Sequence, residues 1–541
     1  YTHTGARMER RSAGEEERVP VGLAALPQVV LPNMYGSTQQ GSLALFPEGQ
    51  PSLQESTATT YAGVFATLLL APLAWCSRRH RSINLFWAFL AFFALSWSLN
   101  VPGLVAILRL PGLNMMSHNR FVFAASFAIL AMTAVGLEVL WQKRVERRWW
   151  FWLPTALLAV LCAWSFYRFN VLPEVITTAL EQDIKNGKQV ASIHGMEGVR
   201  QVQAWFTRSY LAATILCGLG VVGWLLLWFR KTWRPWTVPV LGLFMLGDLL
   251  WFAHDRSAQC DPALYYPRIP ALVQISKSTP GRIVGYNCLM APLGRSHGLH
   301  DIRGYDAVDP ARLLDLLSIA AAPSASSPTY ALTQSFVPQV SLAPPDGIRF
   351  SPILDMLGVR YLISRQAPLP PFRADFHSDD YWVSVNQFAL PRAFVPRHIE
   401  SVADDEQFKK LSSPQFDPRE MAYVESPVVL PATCSGDATI VSEIPTRITV
   451  ALKMETPGLV VLADLWDKGW SAYIDGKPAP ILLTNHAIRG VVVPAGTATL
   501  EFRYEPASLT LGLWLTVLAL VILSLWTGLS AWREDRASKP A

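Results

Sequence analysis

The chain has 541 residues, 51% of them hydrophobic and only 16% charged, where a soluble domain of ordinary composition carries about 25% charged residues. This excludes a typical soluble enzyme, and 20 Trp with 25 Phe point to apolar spans with interfacial anchors. A formal net charge of +5 needs no nucleic acid partner, and six Cys without CxxC spacing make neither a zinc framework nor a disulfide-dense scaffold.

Mostly apolar windows run over about 60–77, 83–99, 119–141, 149–168, 208–229, 235–254 and 508–531, each near the length that crosses roughly 30 Å of hydrocarbon. They predict an α-helical polytopic membrane protein with seven spans. The segments Cys76-Ser-Arg-Arg-His-Arg81, Gln142-Lys-Arg-Val-Glu-Arg-Arg148, Arg230-Lys-Thr-Trp-Arg234 and the tail from Trp532 hold about 13 Lys or Arg in about 28 residues, against about 4 in about 58 for the alternate loops. The positive-inside rule puts those four segments in the cytoplasm and residues 1–59, 100–118, 169–207 and 255–507 outside it. An outer N-terminal segment without a signal peptide, opening on Tyr1, leads to the expectation of a fragment with further helices upstream.

The expected domains are an extracytoplasmic segment (1–59), a membrane domain of six helices (60–254), an extracytoplasmic mixed α/β region (255–436), an extracytoplasmic β-sandwich (437–506), a final span (507–532) and a cytoplasmic tail (533–541). Strands are predicted at 448–452, 459–462, 472–474, 481–483, 491–493 and 498–502, with turns at Asp475-Gly476 and Ala495-Gly496. Short strands spaced by turn signals argue for a sandwich, with Trp466 and Trp470 either in its core or at its membrane edge. In the mixed region 313–317 reads as helix, 359–363 as strand and 321–345 as loop, without a derivable topology.

Gly218-Leu-Gly-Val-Val-Gly223 matches GxGxxG but lies inside a span, so its glycines are expected to admit a neighbouring helix rather than a nucleotide. Asp248, near the outer end of its span, is a functional candidate because an ionisable group is costly there. The alternative is an interfacial position or a pair with His254 or a loop Arg. Glu138 is expected to pair near Lys143.

His297, His300, Asp301, Asp306 and Asp309 offer imidazole and carboxylate suited to a divalent metal, or a polar loop bonding its own backbone. No cofactor is otherwise called for. Of the outer cysteines, Cys260 and Cys288 are the favoured disulfide pair. His118, Asn119 and Arg120 open a helix on the outer side, a seat for phosphate or, alternatively, an arginine reaching lipid headgroups.

Several strings in order resemble the bacterial YfhO family of polytopic membrane proteins: Leu31-Pro-Asn-Met-Tyr-Gly36, Pro111-Gly-Leu followed by Asn119-Arg-Phe and Gly136-Leu-Glu138, Asp301-Ile-Arg-Gly-Tyr-Asp306, Leu354-Asp-Met-Leu-Gly-Val-Arg-Tyr361, Leu390-Pro-Arg-Ala-Phe394, Gly469-Trp-Ser-Ala-Tyr-Ile-Asp-Gly-Lys477, Asn485-His-Ala-Ile-Arg-Gly490 and Val493-Pro-Ala-Gly496. The likeness covers nearly the whole chain. It implies a GT-C-like glycosyltransferase of the bacterial cytoplasmic membrane, taking sugar from a polyprenyl-phosphate donor to an envelope polymer or glycolipid. The family's catalytic acid lies on a first outer loop with no counterpart here, so no catalytic residue is carried over. Substrate contacts are expected at Arg120, His118 and Asp248. The alternative function is a non-catalytic envelope protein anchored in the bilayer, whose outer domain binds a glycan or a partner.

Overall fold

The computed structural model describes residues 20–45 save 38 and 40, 57–110, 113–142 save 117, 145, 148–229 save 189, 191, 192 and 194, 236–254, 256, 260–305, 309–323, 332–343 and 347–538. These fall into two compact units, one ending at Asp261 and one beginning at Pro262.

The first unit is helical. Its main helices are α1 (Arg81–Leu95), α2 (Phe123–Trp141), α3 (Trp152–Asn170), α4 (Thr178–Lys185), α5 (Gly195–Phe229) and α6 (Thr237–Ala253), with a shorter apolar helical run over Ala66–Cys76. Apolar residues all round, rather than on one stripe, let the same helices pack inward and outward. Thus Leu69, Leu70, Leu158 and Trp224 are buried, while Phe127, Val160 and Ile215 are exposed. Close approach is set by glycine. A Cβ on Gly136 would collide with the Leu70 carbonyl, and one on Gly220 would meet Leu158 at 3.1 Å. Gly220 belongs to the GxGxxG string, whose glycines therefore serve helix packing as expected.

Four helical stretches are long and apolar enough to cross a membrane: His118–Trp141, Trp149–Lys185, Gly195–Phe229 and Ala507–Trp532. The other three predicted spans appear as shorter apolar helices, Ala66–Cys76, Arg81–Leu95 and Thr237–Ala253. Residues on either side of the first leave helical geometry, with Gly63 at φ +102 and Asn100 closing the second in the left-handed region.

The second unit is rich in strands. Its mixed sheet contains β1 (Arg282–Gly285), β4 (Val359–Ser364), β6 (Trp382–Val385) and β5 (Phe376–His377) in the order β1-β4-β6-β5. Strands β1 and β4 are parallel and the other pairs antiparallel. Helices α7 (Pro270–Ser276), α8 (Ala311–Ala320) and α9 (Pro352–Met356) accompany this sheet, and β2 (Ser341–Ala343) with β3 (Gly347–Arg349) forms a separate hairpin. The predicted helix at 313–317 and strand at 359–363 lie in α8 and β4.

A sandwich follows. One sheet orders β10 (Gly436–Ile444), β11 (Arg447–Met454), β17 (Gly496–Tyr504), β13 (Trp470–Ile474) and β14 (Lys477–Ala479) as β10-β11-β17-β13-β14. The other orders β7 (Ala393–Phe394), β12 (Gly458–Leu465), β16 (Ile488–Val493), β15 (Leu482–Thr484), β9 (Met421–Val424) and β8 (His398–Ser401) as β7-β12-β16-β15-β9-β8. Helix α10 (Asp404–Leu411) lies between β8 and β9 in sequence, and β17 runs through Pro506 into α11 (Ala507–Ser538).

All six strands predicted between 448 and 502 are present. The sandwich nevertheless starts earlier than residue 437, because β7, β8 and β9 join its second sheet. Strand β11 alternates buried and exposed positions, as a strand with one solvated face must. Strand β12 does not: Val460 and Leu462 face the inter-sheet core with Val450, Leu500 and Phe502, while Leu459 and Val461 pack with Val284, Leu316 and Val359. Burial on both faces explains its continuous apolar run. The turn at Asp475-Gly476 has φ of 48 and 79, the two left-handed residues that a type I′ hairpin requires. Trp466 is half-buried and Trp470 packs against the inter-sheet core.

Candidate functional site

Within the helical unit, Asp248 is 3% exposed near the C-terminal end of α6. Its Oδ1 accepts a hydrogen bond from the Tyr61 hydroxyl at 2.5 Å, and its Oδ2 accepts one from the Val64 backbone N–H at 2.8 Å. Among the described residues these are its hydrogen-bond partners, and neither His254 nor an arginine bonds to it. The segment carrying Tyr61 comes this close because Gly63 adopts φ +102, where a Cβ would stand 3.1 Å from Asp248 Oδ2. A carboxylate with two donors can accept further bonds. It also lines an open groove of about 690 Å³ between α5 and α6, with Arg208, Leu211, Phe244, Gly247 and Trp251. Arg208, the groove's one cation among the described residues, is exposed and spends one N–H on the Ala204 carbonyl at 3.3 Å.

The two other expected contact residues lie elsewhere in the unit. His118 is buried against Trp97, with ring centroids 5.2 Å apart, and its Nε2 lies 2.8 Å from the Leu113 carbonyl oxygen. Arg120 is exposed just before α2. Among the described residues, neither lines the Asp248 groove nor bonds to Asp248. The tight turns at 113–122 bring His118 onto its own loop, so the phosphate seat expected there has Arg120 as its available cation. Glu138 meets His80 at 3.1 Å and accepts from Gln142 at 2.6 Å, whereas its expected partner Lys143 lies outside the described residues.

The metal reading of the 297–309 segment is not upheld. Among the described residues no group of three or more His, Cys, Asp or Glu side chains is placed to hold a metal ion. His297 Nε2 accepts from the Ile269 N–H at 3.2 Å, Asp301 pairs with Arg303 at 2.8 Å, and Asp309 accepts from the Thr333 hydroxyl at 2.7 Å. The residues bond to their own loop and its neighbours, the alternative given above. His300 is exposed and Asp306 lies outside the described residues. The Cys260–Cys288 disulfide is likewise corrected: none of the six cysteines is in a disulfide, and Cys288 Sγ instead donates to the Ile363 carbonyl at 3.3 Å.

The strand-rich unit holds two polar hubs that motif reasoning did not find. In the first, Asp464 on β12 faces Arg282 at 2.6 Å, Arg392 at 2.8 Å and Arg489 at 3.3 Å, and Glu443 takes a second bond from Arg392 at 2.7 Å. Arg489, only 2% exposed, also stacks 4.0 Å from the Trp470 ring centroid. Burial by itself would raise the Asp464 carboxyl, but the three guanidinium groups outweigh it and hold it below the usual carboxylate range. Burial pushes Arg489 down to about 10 against the opposing pull of Asp464.

In the second hub His486 stands between two carboxylates, Nδ1 2.8 Å from Asp404 and Nε2 2.9 Å from Asp315. Arg312 donates to the His486 carbonyl at 2.7 Å. Both Asn485 and His486 have positive φ, 46 and 68, so this corner clamps α8 and α10 to the β15–β16 turn at a cost in backbone strain. A readable signal existed: Asp464 and Arg489 are charged residues inside otherwise apolar strands. Asp464, however, meets Arg282 and Arg392 across 182 and 72 positions of sequence, which no local pattern carries.

No family model, no curated protein and no solved structure matches this chain.

Proposed function

We propose that this chain is a YfhO-like, GT-C-type component of a membrane glycosyltransferase, which moves sugar from a polyprenyl-phosphate donor to an envelope polymer or glycolipid at the outer face of a bacterial cytoplasmic membrane. In this reading the three shorter apolar helices cross together with the four long ones, and the basic knots stay in the cytoplasm. The strand-rich unit is then extracytoplasmic.

The observation that carries the reading is the α5–α6 groove, apolar along its length and bearing Asp248 and Arg208 at one end. A polyprenyl donor keeps its tail in hydrocarbon and its phosphate and sugar at the interface, so its site needs an apolar channel ending in a cation and hydrogen-bond acceptors. Arg208 supplies the guanidinium for phosphate, and Asp248 the fixed acceptor for sugar hydroxyls. Tyr61 and Val64 hold that acceptor still, so little ordering remains when substrate binds. In the reaction the acceptor oxygen bonds to the anomeric carbon as its O–H proton is released to solvent or to the departing phosphate, the carbon–oxygen bond to phosphate breaks, and polyprenyl phosphate leaves with the electron pair.

The test is incorporation of radiolabelled sugar into envelope glycan by membranes carrying wild type, Asp248→Asn or Arg208→Gln at equal protein levels. Both variants are expected to lose most incorporation. Wild-type incorporation by both would overturn the proposal.

A further inference from the structure

The ends of β1 and β4 open onto a cleft in the strand-rich unit that none of the chemistry above uses. These strands are parallel neighbours, with Gly285 paired to Ile363, so both chains leave the sheet on the same side. The region beyond the carboxyl ends of parallel strands is where such sheets place ligands. Here Tyr286 and Asn287 follow β1, and Arg365 and Gln366 follow β4. With Gln339 and Phe372 they border a cleft of about 710 Å³, within the roughly 300–1,000 Å³ usual for small-ligand sites.

The loop after β1 is held from behind. Arg303, 7% exposed and paired to Asp301, donates to the carbonyls of Gly285 at 3.1 Å, Cys288 at 3.2 Å and Leu289 at 2.7 Å. Asn287 and Leu289 take positive φ, 49 and 59, within this clamp. A buried cation that fixes three carbonyls of a five-residue turn pre-orders the two side chains facing the cleft, Tyr286 and Asn287.

The lining has the chemistry of saccharide recognition. Tyr286 and Phe372 offer aromatic faces, to which the C–H face of a pyranose ring packs. Asn287, Gln339 and Gln366 offer amides, which both donate and accept, as paired sugar hydroxyls do. None of these amides, nor the Tyr286 hydroxyl, nor the Arg365 guanidinium, is hydrogen-bonded to another described residue, whereas the Ser364 and Ser384 hydroxyls are spent on the carbonyls of Gln366 and Arg373. Arg365 is the lining's one charged residue among those described. A cleft with a cation and no carboxylate favours an anionic ligand, because nothing repels it and a guanidinium grips carboxylate or phosphate with two parallel bonds.

We propose that the cleft between the ends of β1 and β4 is a binding site for an anionic oligosaccharide, held by Arg365 and stacked on Tyr286. The site lies in the other unit from the α5–α6 groove, and its occupancy does not depend on sugar transfer.

The experiment is calorimetric titration of the full chain in lipid nanodiscs with tetragalacturonate, with phosphorylated maltotetraose, with neutral maltotetraose, and with a proline-rich decapeptide. Saturable binding of at least one anionic sugar is expected, weakened by about tenfold or more in Arg365→Gln and in Tyr286→Ala, with neutral maltotetraose weaker than either. The two anionic arms separate a carboxylate-bearing from a phosphate-bearing ligand. Both substituted side chains are exposed, so unchanged thermal unfolding shows that the fold is intact. Failure of both anionic sugars to bind, binding indifferent to Arg365→Gln, or preference for the peptide would overturn the proposal. Loss of transfer in Asp248→Asn with sugar binding intact would leave the two sites independent.

Discussion

The Tyr61 hydroxyl donates to Asp248 Oδ1 at 2.5 Å across 187 positions of sequence, joining the irregular segment before the first apolar helix to the end of α6. With the Val64 N–H on Oδ2, this bond determines where that segment lies. Tyr61→Phe removes a buried donor and leaves a carboxylate oxygen unsatisfied, a loss of about 1–3 kcal/mol. The expected result is a lower unfolding midpoint for the helical unit in detergent, read by far-UV circular dichroism, with a larger fall for Asp248→Ala, which strands both donors. No shift in either variant would show that the tether does not hold the segment.

Topology is tested by single cysteines in a background without the six native ones, needed because Cys260 is exposed. Gln142→Cys should resist an impermeant maleimide in intact cells, and Val429→Cys, at a fully exposed site, should react. The reverse pattern would invert the proposed orientation.

Much of the fold was readable because its signals are local. Strand β11 alternates in burial and Asp475-Gly476 turns a hairpin, and both can be seen within a few residues. What was not readable depends on distant pairing. Strand β9 meets β15 by a single residue pair, Val424 with Thr484, and β8 joins β9 in parallel, so nothing near 398–424 marks them as sandwich strands. Likewise Asp248 stood out as a charge in an apolar helix, but its partner Tyr61 did not, since a tyrosine at an apolar segment's edge is an ordinary interfacial anchor. Hydropathy windows, finally, count apolar residues without regard to backbone shape. They therefore ran through Gly63 and past Leu95, where α1 ends ahead of the left-handed Asn100.

Arg120 and Arg208 are the two cations put forward for phosphate, one exposed before α2 and one on the groove that holds Asp248. Arg208→Ala is expected to reduce donor affinity by about tenfold or more, the scale of a lost charge-assisted hydrogen bond, and Arg208→Lys to recover only part of it. A substrate contact at Arg120 predicts that Arg120→Ala abolishes transfer and that Arg120→Lys impairs it. Equal transfer and donor binding by wild type and Arg120→Ala would make that arginine an interfacial anchor.

Asp464 should make the strand-rich unit sensitive to acid. Its carboxyl is held below the ordinary range by Arg282, Arg392 and Arg489 in spite of burial, so a folded-state pKa lower than the unfolded one adds stability at neutral pH. That stability is fully present above about pH 4, the unfolded value, and is lost as pH falls through the folded value. Asp464→Asn should cost about 3–5 kcal/mol at pH 7, since Arg282 and Arg489 then lose their paired carboxylate and Arg392 keeps Glu443, and should flatten the acid dependence of the unfolding midpoint. Adding Arg489→Met, which keeps a long side chain against Trp470, should restore part of the loss. An Asp464→Asn profile parallel to wild type between pH 3 and 5 would remove the hub from the acid response.

Asp355 should act with the opposite sign. Burial raises its carboxyl to about 6, against the lowering effect of the Asn386 amide that donates to it at 2.6 Å. A folded pKa above the unfolded value of about 4 means that the folded state holds its proton more tightly, so ionisation opposes folding. The favourable balance present below about pH 4 is therefore lost as pH rises through about 6. Asp355→Asn removes the ionisation while keeping an oxygen for the Asn386 amide. Its unfolding midpoint should match or fall below wild type at pH 4 and rise relative to wild type as pH increases, the difference growing between about pH 4 and 6 and levelling off above that. A constant difference between the two proteins across that range would show that Asp355 does not change its protonation on folding.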